Sequence, residues 1–379
     1  MHKRIVELDS LRGIAALTVV VTHLKNMGLP IPEEWMTTPL RILWAGHEAV
    51  ILFFILSGFV LTFPFMKNKK VNYPEFMIKR FFRIYIPFIV AILFSLVLKR
   101  LFFTESIREL GWANKFWTID ITQNEFFHHF LLITNYNTDM LDPVIWSLVH
   151  EMRISLIFPF LVVIILKINW KNSLLMAFAF SVIGAMMHTT ELGISNGYLN
   201  SYARSVHYIA MFIIGSLMAI HMDTIVNSFK RLNGFVKVSI LIIGICSYTL
   251  QVNLGQYIQT PYLLFIREWF IAVGSCIFII ASIGMPSVSA FLSLKISEFF
   301  GKISYSLYLY HVPILVALLY VFHGKLSLWA IFVIGLILTV VVSYLSWKYV
   351  ENNAITMGRY IAKKVVTRKT KTVASQKLS

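Results

Sequence analysis

The chain has 379 residues, of which 58% are hydrophobic and only 14% charged. Ordinary soluble domains are about half apolar and a quarter charged, so this composition excludes a soluble fold and points to a membrane protein. A formal net charge of +16 invites nucleic acid as a partner. The basic residues instead gather in short connections and in a tail from Arg359 to Lys377, where attraction to anionic lipid accounts for them.

Stretches long enough to cross about 30 Å of hydrocarbon recur along the chain. Backbone in lipid must satisfy its own hydrogen bonds, so helices are the spanning element. Ten are predicted, near residues 13–27, 47–66, 84–103, 150–168, 172–189, 205–222, 236–253, 261–283, 302–322 and 327–350. The fold class is therefore all-α, a polytopic bundle of about ten transmembrane helices. Lys and Arg concentrate in alternate connections: Lys3, Arg4 and Arg12, residues 67–83, Lys167 with Lys171, the 230–237 cluster, Lys295 with Lys302, and the tail. Such residues are retained on the cytoplasmic side, which places both termini there.

Residues 1–350 read as one membrane domain and 351–379 as a basic cytoplasmic tail, disordered or lying on the membrane surface. Asp9 and Arg12 precede the first apolar run and no clear small-residue cleavage site follows it, so the first helix is expected to stay. Cys246 and Cys276 both fall within predicted spans and support neither a disulfide framework nor a Cys metal site. No metal is expected. The longest connection, residues 104–149 on the predicted outer face, carries Asp120, Glu125, Asp139 and Asp142 and an apolar run at 126–134 suited to the interface. Loops of that length are more often functional than idle.

Five groups of residues are candidates for chemistry. Arg12 and His23 are separated by almost three helical turns, so they share one helix face about 16 Å apart along the axis. Ionisable side chains in a span are costly unless they line a cavity. A neutral imidazole there can take a proton from a hydroxyl, and the guanidinium can hold a phosphate-bearing ligand. A snorkelling Arg with an incidental His is the other reading. In the second span Ser57 and Gly58 interrupt a Phe-rich run, either as small residues for close helix packing or with Ser57 donating into a cavity. Arg80 and Arg83, at i,i+3, project from one side of the third helix and suit either phosphate binding or ordinary charge anchoring.

Trp146, Ser147 and Glu151 open the fourth predicted span. Glu151 is a carboxylate that must be paired or wetted, with His23, Arg153 or water as candidate partners. Contact with His23 would orient the imidazole and raise its basicity. In the ninth span Ser304, Tyr308 and His311 follow i, i+4, i+7 and form a polar stripe that must face protein or a cavity. Tyrosine at a membrane interface is otherwise routine.

Together these segments resemble the acyltransferase-3 family of multispan membrane acyltransferases. The matching pieces are LDSLRGIAALTVVVTH, FFILSGF, RFFRIYIP, WSLVHE and GKISYSLYLYH, in the family's order. The resemblance implies transfer of an acyl group, usually acetyl from acetyl-CoA, to a hydroxyl of a surface carbohydrate or lipid-linked sugar in the bacterial cell membrane. It makes His23 the essential catalytic residue with Arg12 its motif partner. It also assigns Arg80 and Arg83 to acyl-CoA and Glu151 to the acidic position of its motif. Ser57, Trp146, Ser147, Ser304, Tyr308 and His311 are expected to line the substrate path. Two positions depart from the family: Ala49 stands where Gly is frequent, and Asn352, Asn353 and Ala354 replace a basic residue and Pro. The chain resembles the stand-alone members. Two other classes fit parts of the pattern, a transporter or flippase for a lipid-linked sugar and a membrane scaffold or sensor without chemistry. The absence of a detectable internal repeat speaks against the transporter, and intact Arg12, His23 and Glu151 speak against the scaffold.

Overall fold

The computed structural model describes residues 5–66, 72–119, 121–189 and 199–376, with the side chains of Arg108 and of residues 366–376 outside the description. Lys3, Arg4, Asp120, Lys377 and the first five residues of the 67–83 connection also lie outside the described residues. The chain is 84% helical, without strands among the described residues. Its helices are α1 (Val6–Asn26), α2 (Gly46–Met66), α3 (Tyr73–Phe102), α4 (Gln123–Leu131), α5 (Trp146–Ile165), α6 (Trp170–His188) and α7 (Tyr202–Ile220). They continue with α8 (Met222–Arg231), α9 (Gly234–Thr249), α10 (Leu263–Gly284), α11 (Pro286–Leu292), α12 (Lys295–Phe322), α13 (Leu328–Ser346) and α14 (Asn352–Gln376).

Among the described residues, nine helical stretches are long and apolar enough to cross a membrane. The protein is thus a multi-pass membrane protein. The first predicted span, α1, is a 21-residue helix, about 30 Å long at 1.5 Å per residue. It falls outside the nine because Glu7, Asp9, Arg12 and Lys25 leave no long stretch of it free of charge. It begins seven residues before the predicted start, and α3 begins eleven before its own. In both cases the charged first turns continue the helix beyond the apolar window.

Glycines set the closest helix crossings. Gly13 of α1 meets Gly301 of α12, where a Cβ on Gly301 would stand 2.6 Å from the Asp9 carbonyl oxygen, and a Cβ on Gly13 would collide with the α12 backbone. Gly58 and Gly215 do the same for α2 and α7, each facing the other helix's backbone. Small residues that let backbones touch are the usual adhesive between helices in lipid, where the hydrophobic effect cannot pull them together. The close-packing reading of Gly58 is therefore the one its surroundings support.

The 104–142 connection folds over the end of the bundle that holds His23. Ser95 donates to the Leu141 carbonyl at 2.5 Å, Trp117 Nε1 donates to the same oxygen at 3.2 Å, and Lys99 Nζ reaches the Ile119 carbonyl at 2.7 Å. Its own Trp117, Tyr136 and Leu141 are buried. At the other end of the chain, α13 runs through a π-helical turn, Trp347–Glu351, into α14. The tail is helical through Gln376. Gly358 holds it against α3, since a Cβ there would meet Phe82 at 2.6 Å.

A larger side chain at the α1–α12 crossing has nowhere to go. Gly301→Val is expected to lower the midpoint of thermal unfolding in detergent by several degrees, consistent with about 1–3 kcal/mol of overpacking. A differential scanning measurement against wild type checks this, and an unchanged midpoint would refute the crossing.

Candidate active site

His23 lies three turns beyond the Gly13 crossing, and His311 the same number of residues beyond Gly301. The two rings meet, with His23 Nδ1 2.7 Å from His311 Nε2. His311 Nδ1 faces the Leu307 carbonyl oxygen at 3.1 Å. A carbonyl only accepts, so Nδ1 carries hydrogen, and in the neutral ring Nε2 is then the acceptor. His23 Nδ1–H therefore donates to His311. The remaining nitrogen of His23, Nε2, has no hydrogen bond among the described residues and keeps its lone pair. Trp112, from the turn Arg108–Lys115, lies flat against His23 with ring centroids 5.2 Å apart and planes 18° from parallel.

Toward the other end of the bundle, Arg12, Ser57, Ser147, Glu151, Ser304 and Tyr308 line one cavity. Val50, Phe53, Phe54, Leu148 and Tyr305 complete its wall. Four of the five sequence-derived groups thus converge on a single space, and the remaining one, Arg80 with Arg83, supplies the guanidinium of Arg80 that holds Glu151. Arg80 Nη2 donates to Glu151 Oε1 at 2.7 Å, and Ser57 donates to the same oxygen at 3.0 Å. Arg80 Nε is 3.2 Å from Ser155 Oγ. Arg12 has Asp9, Arg83, Glu151 and Glu351 as charged neighbours.

The cavity ends below the histidines. Tyr308 Oη donates to the Val144 carbonyl at 2.9 Å and lies 2.8 Å from Ser147 Oγ. Its ring centroid is 6.1 Å from that of His311. The phenol is therefore the partition between the Arg12 cavity and the imidazole pair.

Sequence spacing placed most of these residues on the correct side of their helices, but not all of their partners. Glu151 contacts Arg80 and Ser57, and His23 contacts His311. The expected Glu151–His23 contact is not formed because Arg80 and Ser57 occupy the carboxylate oxygen facing the bundle. Arg153 turns away to the carbonyls of Ile133 and Asn200. Trp146 is buried against His47, centroids 6.3 Å apart, outside the cavity wall. Three further residues escaped the sequence reading. Trp112 sits in an irregular loop and offers no periodic signal. Glu351 accepts from Ser306 at 3.0 Å, and Glu268 is fully buried. Both are carboxylates in apolar stretches, which is the signal that could have found them.

This is a helical membrane bundle with a paired imidazole close to a charged cavity. The chain belongs to the acyltransferase-3 family, whose description is an acyltransferase domain and whose match covers residues 5–348. It is similar to the O-acetyltransferase OatA of Staphylococcus aureus strain NCTC 8325, 24% identical over 364 residues, which cover 91% of this chain and 56% of that protein. A putative O-acetyltransferase of S. aureus strain COL is likewise 24% identical, over 368 residues, with the same coverage. The chain spans about half the length of these curated relatives. No solved structure matches it significantly.

The lid over His23 contains a buried imidazole of its own. His129 Nδ1 donates to the Glu125 carbonyl at 2.8 Å and its ring is wholly buried against Tyr136. Burial pushes its pKa down to about 4. The unfolded segment, near 6.5, binds the proton first, so stability is full above pH 6.5 and falls as pH drops toward 4. Across that window the lid should lose roughly 3 kcal/mol. The hydrogen-exchange protection factors of residues 123–136, each taken against the intrinsic amide rate at that pH, are expected to fall between pH 6.5 and 4.5 in wild type and to do so less in His129→Phe. Equal acid sensitivity in both would exclude His129 as the cause.

Proposed function

We propose that the protein is an O-acyltransferase that moves an acetyl group from acetyl-CoA to a hydroxyl of a carbohydrate or lipid-linked sugar, with the donor entering from the cytoplasmic side. The observation that carries this reading is the His311–His23 pair, which leaves an oriented, unprotonated nitrogen at His23 Nε2. Family membership and the names of the relatives support the acyl chemistry. The donor assignment rests on the charged cavity, whose Arg12, with Arg80 and Arg83 alongside, offers the planar cations that suit phosphate groups.

Transfer then runs in a balanced sequence. His23 Nε2 removes the proton of the acceptor hydroxyl as its oxygen bonds to the thioester carbonyl carbon. The carbon–sulfur bond breaks, and the imidazolium returns the proton to the departing thiolate. The products are an ester and the CoA thiol. His311 holds the imidazole in the required tautomer and stabilises its charged form through Nε2. Glu151 holds Arg80 rather than touching the reacting atoms, which makes it a positioning residue for the donor end. Tyr308 must swing aside for a thioester in the Arg12 cavity to reach His23.

Two measurements on purified protein test the scheme. With acetyl-CoA and an acceptor glycan, His23→Ala is expected to lose about 10²–10⁴ in kcat, and His311→Phe, which removes only the orienting partner, about 10–100-fold by analogy with outer partners of functional histidines. Wild-type rates in His23→Ala would end the proposal. Separately, Arg80→Ala combined with Arg83→Ala should raise the KM for acetyl-CoA about tenfold or more, the loss of one or two charge-assisted contacts, while the acceptor KM moves less. An unchanged donor KM would remove both arginines from donor binding.

A further inference from the structure

A second polar cluster lies at the same end of the bundle as His23 and takes no part in the scheme above. Its centre is Glu268 of α10, a fully buried carboxylate in an apolar helix. His47 Nε2 lies 2.7 Å from Glu268 Oε1, and Tyr208 Oη donates to that oxygen at 3.2 Å. His207 Nε2 stands 2.6 Å from Oε2. Behind His207, its Nδ1 is 2.8 Å from Ser181 Oγ, which accepts from Trp269 Nε1 at 2.9 Å. A carboxylate oxygen only accepts, so His207 carries its hydrogen on Nε2, and in the neutral ring Nδ1 then accepts from the serine hydroxyl.

Around Glu268 itself, His207 and Tyr208 are enclosed and His47 is the partly open member. The His47 side chain is 34% exposed, whereas those of Glu268 and His207 are at 1% and 0%. With Nε2 committed to Glu268, the Nδ1 of His47 has no hydrogen bond among the described residues. A carboxylate held in hydrocarbon is costly unless something is gained from it. Here it fixes the rotation of one half-open imidazole, which Trp146 also holds from the side at an interplanar angle of 18°.

The position of that ring is set by two packed routes back to His23. His47 follows Gly46, where a Cβ would stand 2.6 Å from Thr22 Oγ1, and Thr22 precedes His23. On its other side Trp146 precedes Ser147, which meets Tyr308, the ring neighbour of His311. His47 therefore stands at the same depth as the imidazole pair. Its Nδ1 and His23 Nε2 are both without a hydrogen bond among the described residues.

We propose that His47, oriented by Glu268, is an acceptor-binding residue, and that its Nδ1 hydrogen-bonds a second, non-reacting hydroxyl of the acceptor whose first hydroxyl is deprotonated by His23. The inference rests on the acyltransferase reading and narrows its acceptor to a polyhydroxylated ring rather than a simple alcohol. Glu268 acts through His47 and is a positioning residue.

The test uses purified full-length protein with acetyl-CoA and methyl glycosides of glucose, galactose and N-acetylglucosamine, each also supplied lacking one hydroxyl at a time. In wild type, one deoxy position abolishes transfer because the reacting oxygen is gone. A second raises the acceptor KM about tenfold, the effect of one lost hydrogen bond. In His47→Phe, which keeps a ring against Trp146, that second penalty disappears and intact and deoxy acceptors share the raised KM. The double variant His47→Phe with Glu268→Gln removes the carboxylate left without its partner and should show the same levelled pattern if the single variant folds poorly. A second penalty undiminished in both variants overturns the proposal. The same glycosides are followed by saturation-transfer NMR, and binding equal in wild type and variants, or absent in wild type, overturns it as well. Acetyl-CoA consumption by wild type separates the two readings: none at all counts against the acyltransferase scheme, whereas consumption with unaltered acceptor discrimination counts only against His47.

Discussion

The contact on which the site depends is the crossing of two glycines. Gly13 and Gly301 bring the backbones of α1 and α12 together with no side chain between them, and both helices run in the same direction from that point. His23 and His311 each lie ten residues further on, about 15 Å along either axis. Equal advance on parallel helices returns the two imidazoles to the same height, where a 2.7 Å approach is possible. Any residue wider than glycine at the crossing would separate the axes and break the pair from a distance. The tautomer that frees His23 Nε2 is thus a consequence of backbone packing several turns away, because a rigid helix carries an offset at one end to the other.

Charge is the second organiser. Each buried carboxylate near the site is answered by named partners: Glu151 by Arg80 and Ser57, Glu268 by His47 and Tyr208, Glu48 by Arg41 and Gln251, Glu351 by Ser306. Removing one partner from such a pair leaves an uncompensated charge, at about 3–5 kcal/mol. These pairs join α3 to α5 and α2 to α10, so the same bonds that make the charges tolerable fix which helices are neighbours. Net stabilisation from them is small compared with a hydrophobic replacement; what they provide is a unique arrangement of polar groups along one internal path.

Much of this was readable from residue order. Apolar length gave the spans, and helical spacing placed Arg12, Ser57, Glu151, Ser304 and Tyr308 on faces that prove to share a cavity. The misassigned partner of Glu151 shows where such reasoning stops. Periodicity identifies a face of one helix, but it contains nothing about the rotation of the helix opposite, and Arg80 and His23 were equally available on that ground. His47 and Glu268 are 221 positions apart and each is a single polar residue in its own segment, so no local pattern joins them. The lid is illegible for another reason. Its order comes from side chains such as Trp117 and Ser95 reaching carbonyls, and irregular backbone held by side chains has no repeat to detect.

The partition at Tyr308 links these parts. In the proposed scheme the donor near Arg12 and the base at His23 are on opposite sides of one phenol, which is hydrogen-bonded to the Val144 carbonyl and Ser147. Two neutral hydrogen bonds contribute about 1 kcal/mol each, far less than parting Glu151 from Arg80. Tyr308 is therefore the cheapest side chain in the path to displace. Its anchor, Val144, lies in the turn Pro143–Ile145, which the buried Asp142 caps through the Val144 amide at 3.3 Å. Asp142 adjoins Leu141, whose carbonyl Ser95 and Trp117 both hold. The chain that pins the tyrosine is thus continuous with the lid that carries Trp112 onto His23. Access to the imidazole from below and cover from above are governed by one stretch of backbone, and a displacement of residues 138–145 changes both together.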